Sequence, residues 1–173
     1  MNTHDNEDWG RVTRAHGFDP AALIASREEI GLQRVDLSRL ARIPDTTVLR
    51  WELGETVPSV RRLRAVVESL NKMRAHADKP PLRGDQLILI DPDRRELSYY
   101  RHVALLTPDE AAAQIGVSGT TLARIEKAQR SLTPELTARL AQVLDISADD
   151  VVKAWERASN RWPELAGGDA VAD

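Results

Sequence analysis

Residues 46–52 read TTVLRWE, and residues 120–126 read TTLARIE. The shared pattern Thr-Thr-x-x-Arg-x-Glu recurs at a spacing of 74 positions, the interval from Glu52 to Glu126. The same interval relates Arg27 to Arg101, Leu32 to Leu106 and Leu70 to Leu144. Agreement over so long a span marks a duplicated unit, although two copies do not make a solenoid. A helix over residues 45–53 puts Val48 and Trp51 on one face and Thr46, Thr47 and Arg50 on the other, so one side is buried and the other displayed.

Upstream of this helix, Asp19-Pro20 joins a good N-cap to a residue favoured at the first helical position, and AALIASREEI continues at helical spacing to a stop near Gly31. A short second helix is predicted over about residues 34–41, with Leu37, Leu40 and Ala41 inward, followed by a tight connection at Arg42-Ile43-Pro44. Downstream, Gly54 ends the third helix and Pro58-Ser59 restarts the chain. VRRLRAVVESL then repeats the i, i+3, i+4 pattern through Val60, Leu63, Val66, Val67 and Leu70. Residues 19–74 form a first domain on this reading.

Between Asn71 and Ile90 the pattern fails, and ADKPPLRGD has linker composition, so residues 75–90 are read as a linker. Extended, the stretch from Asn71 to Ile90 spans about 60 Å at ~3.3 Å per residue. Its apolar end, QLILI (Gln86 to Ile90), is either a short strand or an arm packed on a neighbouring domain. Asp93-Arg-Arg-Glu96 is spaced like a capping box and opens a helix to about Leu105, beginning a second domain over residues 91–160. The polar, acidic residues 1–18 read as a flexible arm docking through Trp9, and residues 161–173 as a flexible tail. Trp155 and Trp162 read as caps on a core.

Composition agrees with an all-α chain. There is one Phe and there are two Tyr in 173 residues, too few to stabilise a sheet by aromatic cross-strand pairs. The absence of Cys excludes disulfides and thiolate metal sites, and His4, His16, His76 and His102 are too scattered to suggest a metal cluster. No apolar run approaches the roughly 20 residues of a membrane span, and MNTHDNEDWGR is acidic where a signal peptide is basic. The expectation is a protein of the reducing cytoplasm, without membrane, cofactor, metal or evident small-molecule ligand. A net charge of -3 requires any contact with nucleic acid to come from a local basic face.

Both copies resemble the helix-turn-helix domains of phage repressor and Cro proteins and their bacterial relatives, the XRE type. The resemblance covers about residues 21–70 and 95–154, and LTPDEAAAQIGVSGTTLARIEKAQRSLTPELTARLAQVLDI (residues 106–146) follows the family pattern almost throughout. Gly116 stands where the family has its turn glycine and Ser118 where it has an N-cap. The first copy departs, with Arg42 and Pro44 at those places, which implies a slightly distorted turn. The resemblance implies two tandem helix-turn-helix bundles and structural pairs Arg27–Glu52 and Arg101–Glu126. It also implies a bacterial, cytoplasmic setting and the function of a DNA-binding repressor, such as a phage or prophage immunity repressor.

In this motif the recognition helix enters the major groove and the preceding helix crosses the phosphate backbone. Base contacts are then expected from Asp45, Thr46, Thr47 and Arg50 in the first copy and from Gly119, Thr120, Thr121 and Arg124 in the second. Each Arg is suited to a bidentate contact with guanine. Asp45 either accepts from a cytosine amino group or serves the helix terminus. Phosphate contacts are expected from Arg34, Arg61, Arg62, Ser118, Lys127, Gln129 and Arg130, while Glu55 lies where it would be repelled. The Arg run at 61, 62 and 64 has an equally good reading as a solvated face.

Residues 19–74 hold ten Lys or Arg against eight Asp or Glu, and residues 91–160 hold nine against eleven, which makes the first domain the stronger expected DNA anchor. Two readings follow. Either one monomer reads an asymmetric bipartite operator on double-stranded DNA with both domains, or one domain binds DNA while the other mediates dimerisation or partner binding, as in an antitoxin. No convergent catalytic constellation supports an enzyme.

Overall fold

A computed structural model of the chain describes residues 13–161. Among these residues it contains nine α-helices and no sheet. The chain divides between Leu87 and Ile88 into two compact units. The first holds α1 (Pro20–Glu28), α2 (Arg34–Ala41), α3 (Asp45–Glu52) and α4 (Val60–His76). The second holds α5 (Leu97–Val103), α6 (Pro108–Ile115), α7 (Gly119–Glu126), α8 (Pro134–Leu144) and α9 (Ala148–Asn160).

In the first unit the Asp19 side chain accepts from the Ala21 N–H at 3.0 Å with Pro20 at the helix start, as the sequence signal implies. Leu37, Val48, Trp51, Val60, Leu63, Val66, Val67 and Leu70 are buried, and α2 packs against both α3 and α4. Leu40 departs from its expected inward position and is 49% exposed. Ser38 takes the core place beside Leu37 instead, its hydroxyl satisfied by the Arg34 carbonyl at 2.9 Å. A small side chain there lets α2 approach its neighbours and turns Leu40 toward solvent.

The expected arm is ordered at its end. Ala15 is fully buried, its N–H donating to the Pro58 carbonyl at 2.9 Å, and the Val60 N–H donates to the Thr13 carbonyl at 2.9 Å. Residues 13–18 therefore belong to the first unit. Trp9 and the docking role read for it lie outside the described residues.

The expected linker also differs. Helix α4 runs to His76, and the chain then folds back along it: Asn71 donates to the Leu82 carbonyl at 3.1 Å and accepts from the Leu82 N–H at 2.6 Å. The buried Arg74 donates to the Pro80 carbonyl and to Glu29, each at 2.7 Å. A cation with that little solvent needs both acceptors, so it pins the segment against α1 and α4. The Asp19 N–H donates to the Leu87 carbonyl at 2.9 Å, and Leu82 and Leu87 are buried. Residues 77–87 are thus part of the first unit and not an extended 60 Å tether. QLILI forms no strand: a 3-10 turn occupies Gly84–Gln86, Leu87 and Ile88 are buried, and Leu89 is exposed.

In the second unit α6 and α7 carry the residue ranges of α2 and α3 moved by 74. The place of the long α4 is taken by α8 and α9, because Asp145 adopts a left-handed conformation (φ 53°) and breaks the helix. The core joins Leu97, Ile115, Leu122, Ile125, Leu140, Leu144 and Val151, with Trp155 packed against it. The capping box expected at Asp93 and Glu96 does not form. Asp91-Pro92 starts a 3-10 turn earlier, Asp91 accepting from the Asp93 N–H at 3.3 Å, and α5 begins only at Leu97. Glu96 instead pairs with Arg161 at 3.0 Å. Trp162 and the tail from residue 162 onward lie outside the described residues.

Candidate nucleic-acid interface

Each recognition helix is held at its C-terminal end by an ion pair from the first helix of its unit. In the first unit Arg27 donates to Glu52 through Nε at 2.7 Å and Nη2 at 3.1 Å, and its Nη1 reaches the Leu32 carbonyl at 3.3 Å. In the second, Arg101 donates to Glu126 at 2.6 and 3.1 Å and to the Leu106 carbonyl at 3.3 Å. The fork binds a carboxylate with two parallel bonds and an adjacent loop with a third, so orientation as well as distance is set. The Glu52 bond raises the Arg27 pKa above its ordinary value. These are the structural pairs that the family resemblance implies.

The turn before each recognition helix is equally repeated. Arg42 has φ 55° and ψ 43°, and Gly116 has φ 79° and ψ 38°. The distortion implied by Arg42 is therefore absent: the arginine adopts the glycine's left-handed geometry, at a cost of roughly 1–2 kcal/mol for a residue with a Cβ. The helix starts differ. Ser118 Oγ accepts from the Thr121 N–H at 3.1 Å and donates to Thr121 Oγ1 at 2.9 Å. Pro44 has no such capacity, and the start of α3 is held from α2, where Arg34 donates to Asp45 at 2.8 and 3.0 Å and Ser38 donates to the same carboxylate at 3.3 Å. The Arg34 hydrogen bonds hold Asp45 below the ordinary carboxylate range, and Asp45 raises Arg34.

The displayed faces therefore present different chemistry. On α3, Thr46 and Arg50 are exposed and Thr47 is half-buried, but Arg50 Nε lies 3.3 Å from Glu55. Glu55 is placed there because its N–H closes the end of α3 on the Arg50 carbonyl at 2.9 Å. On α7, Thr120 and Arg124 are exposed, and Arg124 has no ion pair among the described residues. Gln129 closes this helix end in the same way, its N–H donating to the Arg124 carbonyl at 2.8 Å, so the position that is acidic in the first copy is neutral here. Gly119 presents no side chain, and a Cβ there would stand 3.1 Å from Asp109 Oδ1.

Lys127, Gln129 and Arg130 are exposed in the loop after α7, which Trp155 pins through Nε1 to the Arg130 carbonyl at 3.1 Å. Arg61 and Arg62 are exposed on the first turn of α4, whose N-cap is Ser59. Arg34 is drawn into the bidentate pair with Asp45, so neither of these two residues presents an uncompensated charge. Sequence reasoning assigned nothing to Arg14, which the pairing of residues 13–15 with residues 58–60 places beside the recognition helix. No signal in the chain's periodicity points to it.

Residues 23–72 match the family model described as Helix-turn-helix, and residues 94–155 match one described as Helix-turn-helix domain. No curated protein and no solved structure matches the chain. No described helix is long and apolar enough to cross a membrane. With two matched domains, the same turn in each and a displayed helix after each turn, the chain carries two helix-turn-helix domains in tandem, the modules of DNA-binding regulators.

Proposed function

We propose that the protein is a sequence-specific transcriptional repressor that reads an asymmetric, bipartite operator as a monomer, one helix-turn-helix per half-site. The observation that carries this reading is the pair of non-identical recognition helices. The first offers Thr46, Thr47 and an Arg50 balanced by Glu55, and the second offers Thr120, Thr121 and an Arg124 with no carboxylate partner. Identical helices in a dimer suit a palindrome, whereas two different helices in one chain suit a site without two-fold symmetry. Two linked readers also raise each other's effective concentration on the DNA. Helix-turn-helix families serve as regulators and not typically as enzymes, and repression of the immunity type is the reading that the phage-repressor resemblance favours.

The second reading gives one domain to DNA and the other to a partner or a second copy. It draws support from α9, where Asp149, Val152, Lys153 and Glu156 form an exposed face of mixed character. Duplexes selected from a random library separate the two readings. Fluorescence anisotropy with Arg50→Ala and Arg124→Ala across a salt series, and the binding stoichiometry, are the measurements. The monomeric two-reader proposal expects one chain per site and a loss of base preference with each variant. It fails if Arg124→Ala leaves preference intact or if two chains occupy one short site.

A further inference from the structure

Between α3 and the start of α4 lies a cleft of about 360 Å³ lined by Arg14, Thr47, Arg50, Trp51, Thr56, Val57, Ser59 and Arg62. Three arginines and three hydroxyl-bearing residues line it, together with the core Trp51. The three cations arrive from three places in the chain. Arg50 comes from the second half of α3 and Arg62 from the first turn of α4. Arg14 comes from the segment before α1, held by the antiparallel bridge to Ser59 and by its own Nη1 donating to the Val57 carbonyl at 3.1 Å. Among the described residues the only carboxylate bonded to any of them is Glu55, at 3.3 Å from Arg50. Arg62 has no ion pair among the described residues.

We infer that this cleft is a phosphate-binding site, filled by a backbone phosphate of the DNA that α3 reads, with Arg14 and Arg62 as the two clamping residues. The inference rests on the DNA-reading proposal for its occupant but not for its chemistry. Several convergent donors with no acidic partner inside the cleft match an anion with three or four acceptor oxygens, and guanidinium geometry suits phosphate in particular. Lying against the recognition helix, the site fixes the register of α3 on the duplex without reading sequence. The second copy lacks it. At the same interval of 74, Arg14 becomes Ile88 and Arg62 becomes Leu136, both buried, while Thr56 becomes Arg130. The phosphate anchor therefore belongs to the first domain, beside a helix that reads bases as its counterpart does.

The phosphate can come from the DNA backbone or from a free phosphorylated molecule, and two measurements on the full chain distinguish these sources. In the first, anisotropy with a random-sequence 20-base-pair duplex is followed across a salt series for the wild type, Arg14→Ala, Arg62→Ala and Arg14→Lys. Each Ala variant is expected to make the slope of log K against log salt shallower by about 0.9, one phosphate contact, while Arg14→Lys keeps the wild-type slope. In the second, the Arg Nε–H NMR signals are followed during titration with inorganic phosphate against chloride at matched ionic strength. Reduced slopes, with or without a phosphate-specific shift, assign the site to the duplex. Saturable phosphate shifts at Arg14 and Arg62 with unchanged slopes overturn the DNA occupant and assign a free ligand. Unchanged slopes with no phosphate-specific shift overturn the site altogether. A wild type that binds no duplex at all refutes the DNA-reading proposal, and the titration then judges the cleft by itself.

Discussion

Arg34 and Asp45 form a bidentate pair, Nε to Oδ1 at 2.8 Å and Nη2 to Oδ2 at 3.0 Å, that ties the start of the recognition helix to the helix before it. At the interval of 74 the two residues become Pro108 and Gly119, so acid and base are present together in one copy and absent together in the other. Both had been natural candidates for DNA contact. Because each neutralises the other, Arg34→Ala together with Asp45→Ala should leave the salt dependence of duplex binding within experimental error of wild type. Asp45→Ala alone, which releases Arg34, should steepen the slope by up to about one contact.

Glu55 holds Arg50 in the same way but at the surface, where such a pair contributes little to stability. Glu55→Gln should therefore leave the unfolding free energy unchanged within about 0.5 kcal/mol while tightening binding to a random duplex, because one repulsive charge leaves the interface. Anisotropy and calorimetry on the same preparation check both halves of this expectation.

Arg42 occupies a left-handed position that its counterpart fills with Gly116. Arg42→Gly should stabilise the first unit by about 0.5–1 kcal/mol, the relief of strain being partly offset by the greater freedom of glycine in the unfolded chain. Residue-resolved hydrogen exchange should show the gain across α1 to α4 and not in α5 to α9.

The Arg101–Glu126 pair is nearly closed to solvent, with side-chain exposures of 6% and 13%. Glu126→Ala leaves a buried guanidinium without its acceptor and should cost the second unit about 3–5 kcal/mol, enough to unfold a marginal domain. The first unit should keep its exchange protection. Simultaneous loss of protection in both units would show that they do not fold independently.

Asp45 is held below the ordinary carboxylate range by Arg34, and Glu29 by Arg74 and Lys79. Because these folded-state values lie below the unfolded ones, the stabilisation is complete above the ordinary carboxylate range and is lost as pH falls through the lowered values. The midpoint of the first unit should be flat at neutral pH and fall in acid, and the double variant Asp45→Asn, Glu29→Gln should show a shallower decline. A variant with the full wild-type decline would assign the acid sensitivity to other groups.

Helix positions were legible because they depend on spacing along the chain, and the 74-residue interval carried them from one copy to the other, while the two Arg–Glu pairs followed from the family resemblance. Leu40 was misread because an apolar pattern passes over a polar residue, and the small Ser38 beside Leu37 takes the core place instead. Asp93 was misread as a cap because Pro92 starts its own turn just before it. The engagement of Arg50 by Glu55, and of Arg34 by Asp45, was beyond the sequence because a charged side chain's partner is chosen by three-dimensional reach.

By itself, the sequence determined the all-α class, the duplication and the identity of the displayed helices, since hydrophobic spacing and turn residues act locally and repeat wherever they occur. The tertiary structure alone decided which charges remain uncompensated. It folded residues 77–87 back onto α4 and α1, brought Arg14 beside Arg50 and Arg62, and paired Arg34 with Asp45. Each of these depends on segments distant in the chain meeting in space, where desolvation and Coulomb attraction select partners that no linear pattern records.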